Sequence, residues 1–328
     1  MKTLVLSLLL PVALLITRAG AGTTPAAPGV VTEHGRLQVA GNRIVGKHGR
    51  PVSLAGNSFY WSQWMGRFYT AEAVAWLKRD WNSTLVRAAC GATRQGGYLG
   101  DPAGNLARVT TIVDAAIQND IYVIIDWHDH KAHQHAEQAL VFFSEMARRY
   151  GSSPNVIYEI FNEPQEDVSW ERDVKPYAER VIAAIRAHDP DNLIVVGTPA
   201  WSQRVDLAAA DPIKDPNVAY TLHFYAGTHK ADLRAKAEKA MELGAAIMVT
   251  EWGTCDADGN GPVDEASVRE WMDFMRRHHL SHCNWAVSDV RESASILRPG
   301  ASDKGGWKDA DLTPSGLLVR GLIRGWGR

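Results

Sequence analysis

Cysteine is scarce. Three in 328 residues are too few for the disulfide framework that holds a small secreted domain together. Cys90 ends one predicted strand, Cys255 follows another and Cys283 begins a third. Strand geometry puts Cys255 and Cys283 near opposite ends of a sheet, so free, buried thiols are expected. None has the spacing of a zinc site. An excess of one charge is also missing. With 35 Lys and Arg against 37 Asp and Glu, the formal net charge is −2. That balance argues against a nucleic-acid or anionic-membrane partner. The one long apolar run, Leu4 to Ile16, is too short to cross a bilayer comfortably, and no later stretch would do so. A composition break, an internal linker, a fixed-period repeat and a glycine-rich phosphate loop after the first strand are all lacking, which favours one domain and disfavours a dinucleotide-binding sheet.

The N-terminus reads as an address. Lys2, the apolar run and the small residues Ala19-Gly20-Ala21 form a secretory leader over residues 1–21. Residues 22–36, beginning Gly22-Thr23-Thr24-Pro25, read as a flexible lead-in, and residues 37–328 as the functional domain. The expected product is exported, to the periplasm or beyond, and monomeric.

What the chain has in surplus is tryptophan, at 12 copies. Some must be core, but indole faces also make platforms for sugar rings, so the surplus points toward a carbohydrate ligand. A hydrophobic share of 45% with 22% charged residues is ordinary for a chain with a full core.

After a short hairpin over Leu37 to Val45, expected to pack on the outside of the domain, strand-like and helix-like segments alternate to the end. The strand candidates are Val52–Asn57, Thr84–Ala89, Tyr122–Trp127, Val156–Phe161, Leu193–Gly197, Ala219–His223, Ile247–Glu251 and His282–Ala286. Helical patterns lie between them, clearest at Ala71–Arg79, Leu106–Asn119, Glu137–Tyr150, Ser169–His188, Lys230–Leu243 and Ser267–His279, with a last helix over Ser315–Ile323 after Thr313-Pro314. Only the fifth crossover, Trp201 to Ile213, is weak as a helix. Eight strands each followed by a crossover predict an α/β fold, a single (β/α)8 TIM barrel with a short N-terminal β-hairpin.

In such a barrel the chemistry lies at the carboxyl ends of the strands. Those positions hold Asn57, Arg87, Trp127-His128, Asn162-Glu163, His223 with Tyr225, Glu251 with Trp252, and Trp285, a polar and aromatic set expected to converge on one mouth. The run Val156–Phe161 is almost wholly apolar or β-branched, then stops at Asn162-Glu163-Pro164. Burial at the rim would raise the Glu163 carboxyl and suit it to donate a proton; the plainer reading is a strand-ending acid that meets solvent. Glu251, from the seventh strand, decides between them. Two acids opposed across a cleft are what glycosidic cleavage needs, one to protonate the leaving oxygen and one to attack or stabilise the oxocarbenium-like centre.

In this order the motifs resemble glycoside hydrolase family 5. Asn162-Glu163-Pro164 and Thr250-Glu251-Trp252-Gly253 match its two signatures, and Val86-Arg87, Asp126-Trp127-His128, His223-Phe224-Tyr225 and Asn284-Trp285 match its other strand ends. The likeness runs from about Leu37 onward and is strongest to the bacterial-type endo-β-1,4-glucanases. It implies Glu163 as general acid/base and Glu251 as nucleophile of a retaining reaction on cellulose, soluble or amorphous β-glucan, or cello-oligosaccharides. It also implies Asn162 on the sugar's 2-hydroxyl, Arg87 and Tyr225 flanking Glu251 to keep it ionised, and His223 against Glu163. His128 would bind sugar hydroxyls and Trp285 would stack beneath the sugar, while Tyr60, Trp64 and Trp201 would line further subsites. A β-mannanase or mixed-linkage glucanase on the same core is the alternative, and a non-catalytic sugar-binding barrel the more distant one.

Relatives often carry a lysine after the last strand within Ser-Asp-Lys. Here the phrase is Ser288-Asp289-Val290-Arg291-Glu292, so Arg291 or Glu292 must serve that subsite, or it is weaker. Without a cellulose-binding module, soluble or amorphous glucan should be cleaved better than crystalline cellulose. No cofactor and no metal are expected. His128-Asp129-His130 with His133 and His135 reads as a polar loop, and Asp256 to Gly261 as a turn, because its twelfth position is Ser267 rather than the Glu a calcium loop requires.

Overall fold

A computed structural model describes Met1 and residues 29–327; the rest of the expected leader and residues 22–28 lie outside that set. The lead-in is not unstructured through residue 36. Val30–His34 forms a helix, α1, whose Thr32 amide donates to the Asp120 carboxylate. The hairpin follows as β1 (Gln38–Ala40) and β2 (Arg43–Val45).

Eight parallel strands then close a barrel: β3 (Ala55–Phe59), β4 (Leu85–Gly91), β5 (Tyr122–His128), β6 (Val156–Glu159), β7 (Ile194–Val196), β8 (Val218–Tyr225), β9 (Ile247–Gly253) and β10 (His282–Val287), with β10 pairing back onto β3. Every barrel residue in these strands is buried, which explains the near-continuous apolar runs. The helices are α2 (Ala71–Trp81), α3 (Pro102–Gln118), α4 (Ala136–Tyr150), α5 (Lys175–Arg186), α6 (Pro199–Ser202), α7 (Val205–Ala210), α8 (Ala231–Glu242), α9 (Glu265–His278) and α10 (Pro314–Arg324). Their starts follow from local chemistry. Thr70, Asp101, Asp264 and Thr313 each accept a backbone amide of the first turn, which satisfies a donor the helix cannot. The long pattern expected over Ser169–His188 begins as a π-turn, Trp170–Val174, before α5. The weak fifth crossover is α6, a single turn with left-handed backbone at Ala200 and Trp201, followed by the short helix α7.

Two apolar layers hold the molecule together. One lies between strands and helices; the other fills the lower barrel with Leu85, Tyr122, Ile124, Ile157, Leu193, Val195 and Met248. Leu37 and Ile44 of the hairpin segment and Val31 of α1 join that inner layer. The hairpin is therefore the floor of the barrel rather than an external appendage.

Candidate active site

Side chains alternate along each strand, so the inner layer changes character at one height. Two residues beyond Leu85, Ile124 and Ile157 come Arg87, Asp126 and Glu159, all fully buried. A guanidinium there must find acids. Arg87 Nε donates to Glu159 Oε2 at 2.7 Å, Nη1 to Glu251 Oε2 at 3.0 Å and to Ser58 Oγ at 3.2 Å, and Nη2 to Asn162 Oδ1 at 2.5 Å. Nη2 also lies 2.9 Å from Asp126 Oδ2. Burial alone would weaken the Arg87 charge, but the three carboxylates more than restore it. With Oδ1 of Asn162 held by Arg87, its buried amide nitrogen keeps no partner among the described residues.

Glu251, on β9, is gripped on both oxygens, by Arg87 and by the Tyr225 hydroxyl at 2.8 Å. A Cβ on Gly253 would fall 2.2 Å from Cδ1 of Tyr225, so the glycine two residues on is what lets that ring lie there. Glu163 sits just beyond β6. His223 Nδ1 is 2.8 Å from its Oε1, and His130 Nε2 is 3.4 Å from its Oε2. Oxygen atoms of Glu163 and Glu251 lie within 4.8 Å of each other, with a nitrogen of His223 inside the same radius.

The electrostatics correct two expectations. Burial raises the Glu163 carboxyl, but hydrogen bonds from His130 and His223, with their charge, bring it down to about 2 instead of leaving it raised. For Glu251, burial and then the charge of Glu163 push the carboxyl up, and His223, Arg87 and Tyr225 oppose this without cancelling it. Burial disfavours charge on His223, yet the nearby Glu159 carboxylate and the hydrogen bond to Glu163 lift it to about 9. The two shifts run in opposite directions and favour the histidine end of the pair for the proton.

The sequence-derived set otherwise gathers as expected, with three exceptions. Asn57 alternates with the inward Ser58 and turns off the mouth, its Nδ2 donating to Asn284 Oδ1 on the neighbouring strand. Trp127 and Trp252 point away from the mouth, Trp127 onto Tyr98 and Phe142, and Trp252 onto Phe224 with its Nε1 donating to His282 Nδ1. Trp285 closes one wall, stacked parallel on His128 with centroids 5.0 Å apart and 5.0 Å from Tyr60, which leads outward to Trp64. His128 Nδ1 meets Asp126 Oδ2 at 2.7 Å, and burial holds the ring neutral. Opposite, a cavity of about 350 Å³ is lined by both acids, His223, Tyr225, Trp201, Gln203 and His229. Trp64 and Trp201 are 46% and 40% exposed, which fits rim platforms rather than loop anchors. Glu292 is half-buried beside Gly259, with no cation against it among the described residues; burial and then Glu251 push its carboxyl up to about 7. Val290 and Arg291 line a separate cavity that Glu292 also borders.

Four residues have a place at the site that the sequence reading does not give them, although Asp126 and Thr250 stand within its motifs. His130, which reads as part of a polar loop, touches Glu163. Asp126, Glu159 and Thr250 form the layer beneath the acids. A charge inside an apolar strand was the available signal for Asp126 and Glu159, since it demands a buried partner. The remaining histidines of that loop disperse: His135 binds Asp129, and His133 stacks on Phe161. In the turn after β9, the Gly259 amide donates to the Asp256 carbonyl.

A family profile described as cellulase (glycosyl hydrolase family 5) matches residues 45–290. Endoglucanase Z of Dickeya dadantii is 54% identical over 293 residues, covering 88% of this chain and 66% of its own length. An endoglucanase of Clostridium saccharobutylicum is 44% identical over 317 residues, or 96% of this chain and 70% of its own. The chain thus spans about two thirds of the curated relatives it matches. Among solved structures, the catalytic domain of a Thermobifida fusca endoglucanase in complex with cellotetraose superposes with a TM-score of 0.85 at 34% identity, covering 90% of this chain and 99% of that one.

Proposed function

The chain belongs to glycosyl hydrolase family 5, and from that membership we propose that it is an endo-β-1,4-glucanase that cleaves internal bonds of cellulose or soluble β-glucan with retention of configuration. The observation that carries this reading is the approach of the Glu163 and Glu251 oxygens to within 4.8 Å. That spacing suits direct attack by one carboxylate; inverting enzymes need about 6.5–9.5 Å to admit a water between them. Named relatives that are endoglucanases, and a cellotetraose complex of one, support the substrate class.

Glu251 is the nucleophile. Arg87 and Tyr225 hold both its oxygens and aim it, and their donors stabilise the charged form it must have to attack. Glu163 is the acid and then the base. It rests as a carboxylate, with His223 Nδ1 2.8 Å from its Oε1. Proton transfer across that contact makes Glu163 a donor and also removes the Glu163 charge that raises Glu251. As the glycosidic C–O bond breaks, Glu163 protonates the departing oxygen and Glu251 bonds to the anomeric carbon. A water then displaces Glu251, giving its proton to Glu163. The Asn162 amide nitrogen, without a partner among the described residues, holds the 2-hydroxyl, and neutral His128 and Trp285 bind the sugar being cleaved. Tyr60, Trp64 and Glu292 extend the cleft on one side and Trp201 on the other. The proposal includes export by the leader over residues 1–21 and action as a monomer, readable from culture fractionation and sedimentation. Among the described residues no helix is long and apolar enough to cross a membrane.

The test is the pair Glu163→Gln and Glu251→Gln. Each should lower turnover of carboxymethyl-cellulose by orders of magnitude while cellotetraose still binds. Proton NMR of fresh product should show the β-anomer first. Immediate α-product, or mannan cleaved faster than carboxymethyl-cellulose, would overturn the reaction or the substrate respectively.

A further inference from the structure

We propose that the Thr250 hydroxyl and the Glu159 carboxylate are positioning residues that fix the tautomer of His223 and so keep one transferable proton on the His223–Glu163 pair. This rests on Glu163 being the acid.

The inference starts from Glu159, a fully buried acid four residues before Glu163 that cannot reach a substrate. Its Oε2 accepts from Arg87 at 2.7 Å; its Oε1 accepts from Thr250 Oγ at 2.6 Å and from Thr221 Oγ at 3.3 Å. Burial raises this carboxyl, but Arg87 first and His223 next bring it below its ordinary value. Glu159 is therefore ionised and only accepts. Thr250 has one hydroxyl proton and commits it to Glu159. What it turns to His223 Nε2, at 2.9 Å, is a lone pair. Nε2 must then carry hydrogen.

The consequence falls on the other nitrogen. A neutral His223 with hydrogen on Nε2 has a bare Nδ1, and that atom faces Glu163 Oε1 at 2.8 Å. The contact holds only if Glu163 is protonated, or if the imidazole is charged and Glu163 is not. Either way one proton lies between Nδ1 and Oε1. Losing it sets two lone pairs face to face. The imidazole could escape by moving hydrogen to Nδ1, but this would leave a bare Nε2 against the Thr250 lone pair. Charges around the ring act in the same direction. Glu159 approaches Nε2 to 3.7 Å, and Glu163 and Glu251 add negative charge, against Arg87 and His130, beside a neutral His128 and beside Asp126, whose carboxyl burial pushes well above its ordinary range. Proton bookkeeping then closes over a cycle: the Nδ1 proton passes to Glu163 and on to the leaving oxygen, and the attacking water returns one.

Thr250→Val removes the hydroxyl at nearly constant volume, and Thr250→Ser restores it. Departure of cellobiose needs an acid, whereas departure of 2,4-dinitrophenolate hardly does, so the proposal predicts unequal losses. In Thr250→Val, kcat/KM should fall about 10–100-fold on cellotetraose and at least about tenfold less on 2,4-dinitrophenyl β-cellobioside. The alkaline limb of the cellotetraose profile should move down by about one pH unit. Thr250→Ser should recover both. Equal losses on the two substrates with an unmoved limb would mean a purely structural role and would overturn the proposal, as would no loss at all. Glu163→Gln separates the premises: if it loses equally on both leaving groups, the acid assignment fails and takes the proposal with it. Nitrogen-15 spectra of the wild-type imidazoles give a reading independent of how the variants fold. His223 should keep hydrogen on Nε2 across the titration, and a neutral Nδ1–H form at high pH would refute the proposal.

Discussion

Val290→Lys is the substitution that most directly tests whether Glu292 binds substrate through its charge. Glu292 lies half-buried next to the cleft, and its carboxyl stands at about 7 because burial and then the charge of Glu251 both penalise ionisation. Val290 borders the same cavity as Glu292 and offers no compensating charge. An ammonium about 5 Å away contributes about 3 kcal/mol at an effective dielectric of 20, or about two pKa units. Partial exposure and the flexible lysine stem reduce this to about one unit. A carboxylate is the stronger acceptor of sugar hydroxyls, so in the wild type KM for cellopentaose should rise about tenfold as pH falls through 7, with kcat following its own profile. In Val290→Lys the same rise should begin near pH 6, and KM at neutral pH should be lower. The assay is initial rates across pH, with KM and kcat resolved separately. A wild-type KM flat across neutrality, or a rise that Val290→Lys leaves in place, would refute the argument that Glu292 binds substrate through its charge.

Two further outcomes follow from the same geometry. Arg87→Leu leaves Asp126, Glu159 and Glu251 without their guanidinium and should destabilise the fold by about 3–5 kcal/mol, seen as a drop in thermal midpoint of about 10 °C. Lowering the pH should narrow that gap as the orphaned acids take up protons. Trp127→Ala and Trp201→Ala should part company: the first, buried between helices and barrel, should cost about 3–5 kcal/mol of stability in a denaturant titration, while the second, exposed over the cleft, should raise KM for cello-oligosaccharides and leave the midpoint unmoved.

The eight strands were legible because a parallel barrel buries both faces of each, and few other structures tolerate runs such as Tyr122–Ile125. The directions of Trp127 and Trp252 were legible too, though overlooked. If Asp126, His128 and Glu251 face inward, period-two alternation sends their neighbours outward. The fifth crossover was not legible for a physical reason. Ala200 and Trp201 adopt left-handed backbone, with φ of 55° and 54°, and the Trp201 amide donates to the Pro164 carbonyl at 2.8 Å. That conformation leaves no helical period and turns Trp201 out over the cleft. His130 lies in a loop, where no periodicity indicates direction. The low carboxyl of Glu163 could not be read from its own strand at all, because the two histidines that lower it come from the β5 loop and from β8.

Charge in the layer beneath the cleft explains why these partners cannot be treated one at a time. Asp126, Glu159 and Glu251 share a single buried guanidinium, so the layer is short of positive charge, and Glu163 adds a fourth acid above it. The deficit favours binding of protons: burial pushes the Asp126 carboxyl well up, and the His223–Glu163 contact is where a proton can also be handed to a substrate. An acid deep in the barrel therefore helps to determine whether the acid at its rim has a proton to give. On this account Glu159→Gln should not behave as a packing defect. It removes a charge that favours the His223 proton, so the alkaline limb on cellotetraose should shift downward even where the thermal midpoint holds. A lowered midpoint with an unshifted limb would return Glu159 to the role of a mere counterion for Arg87.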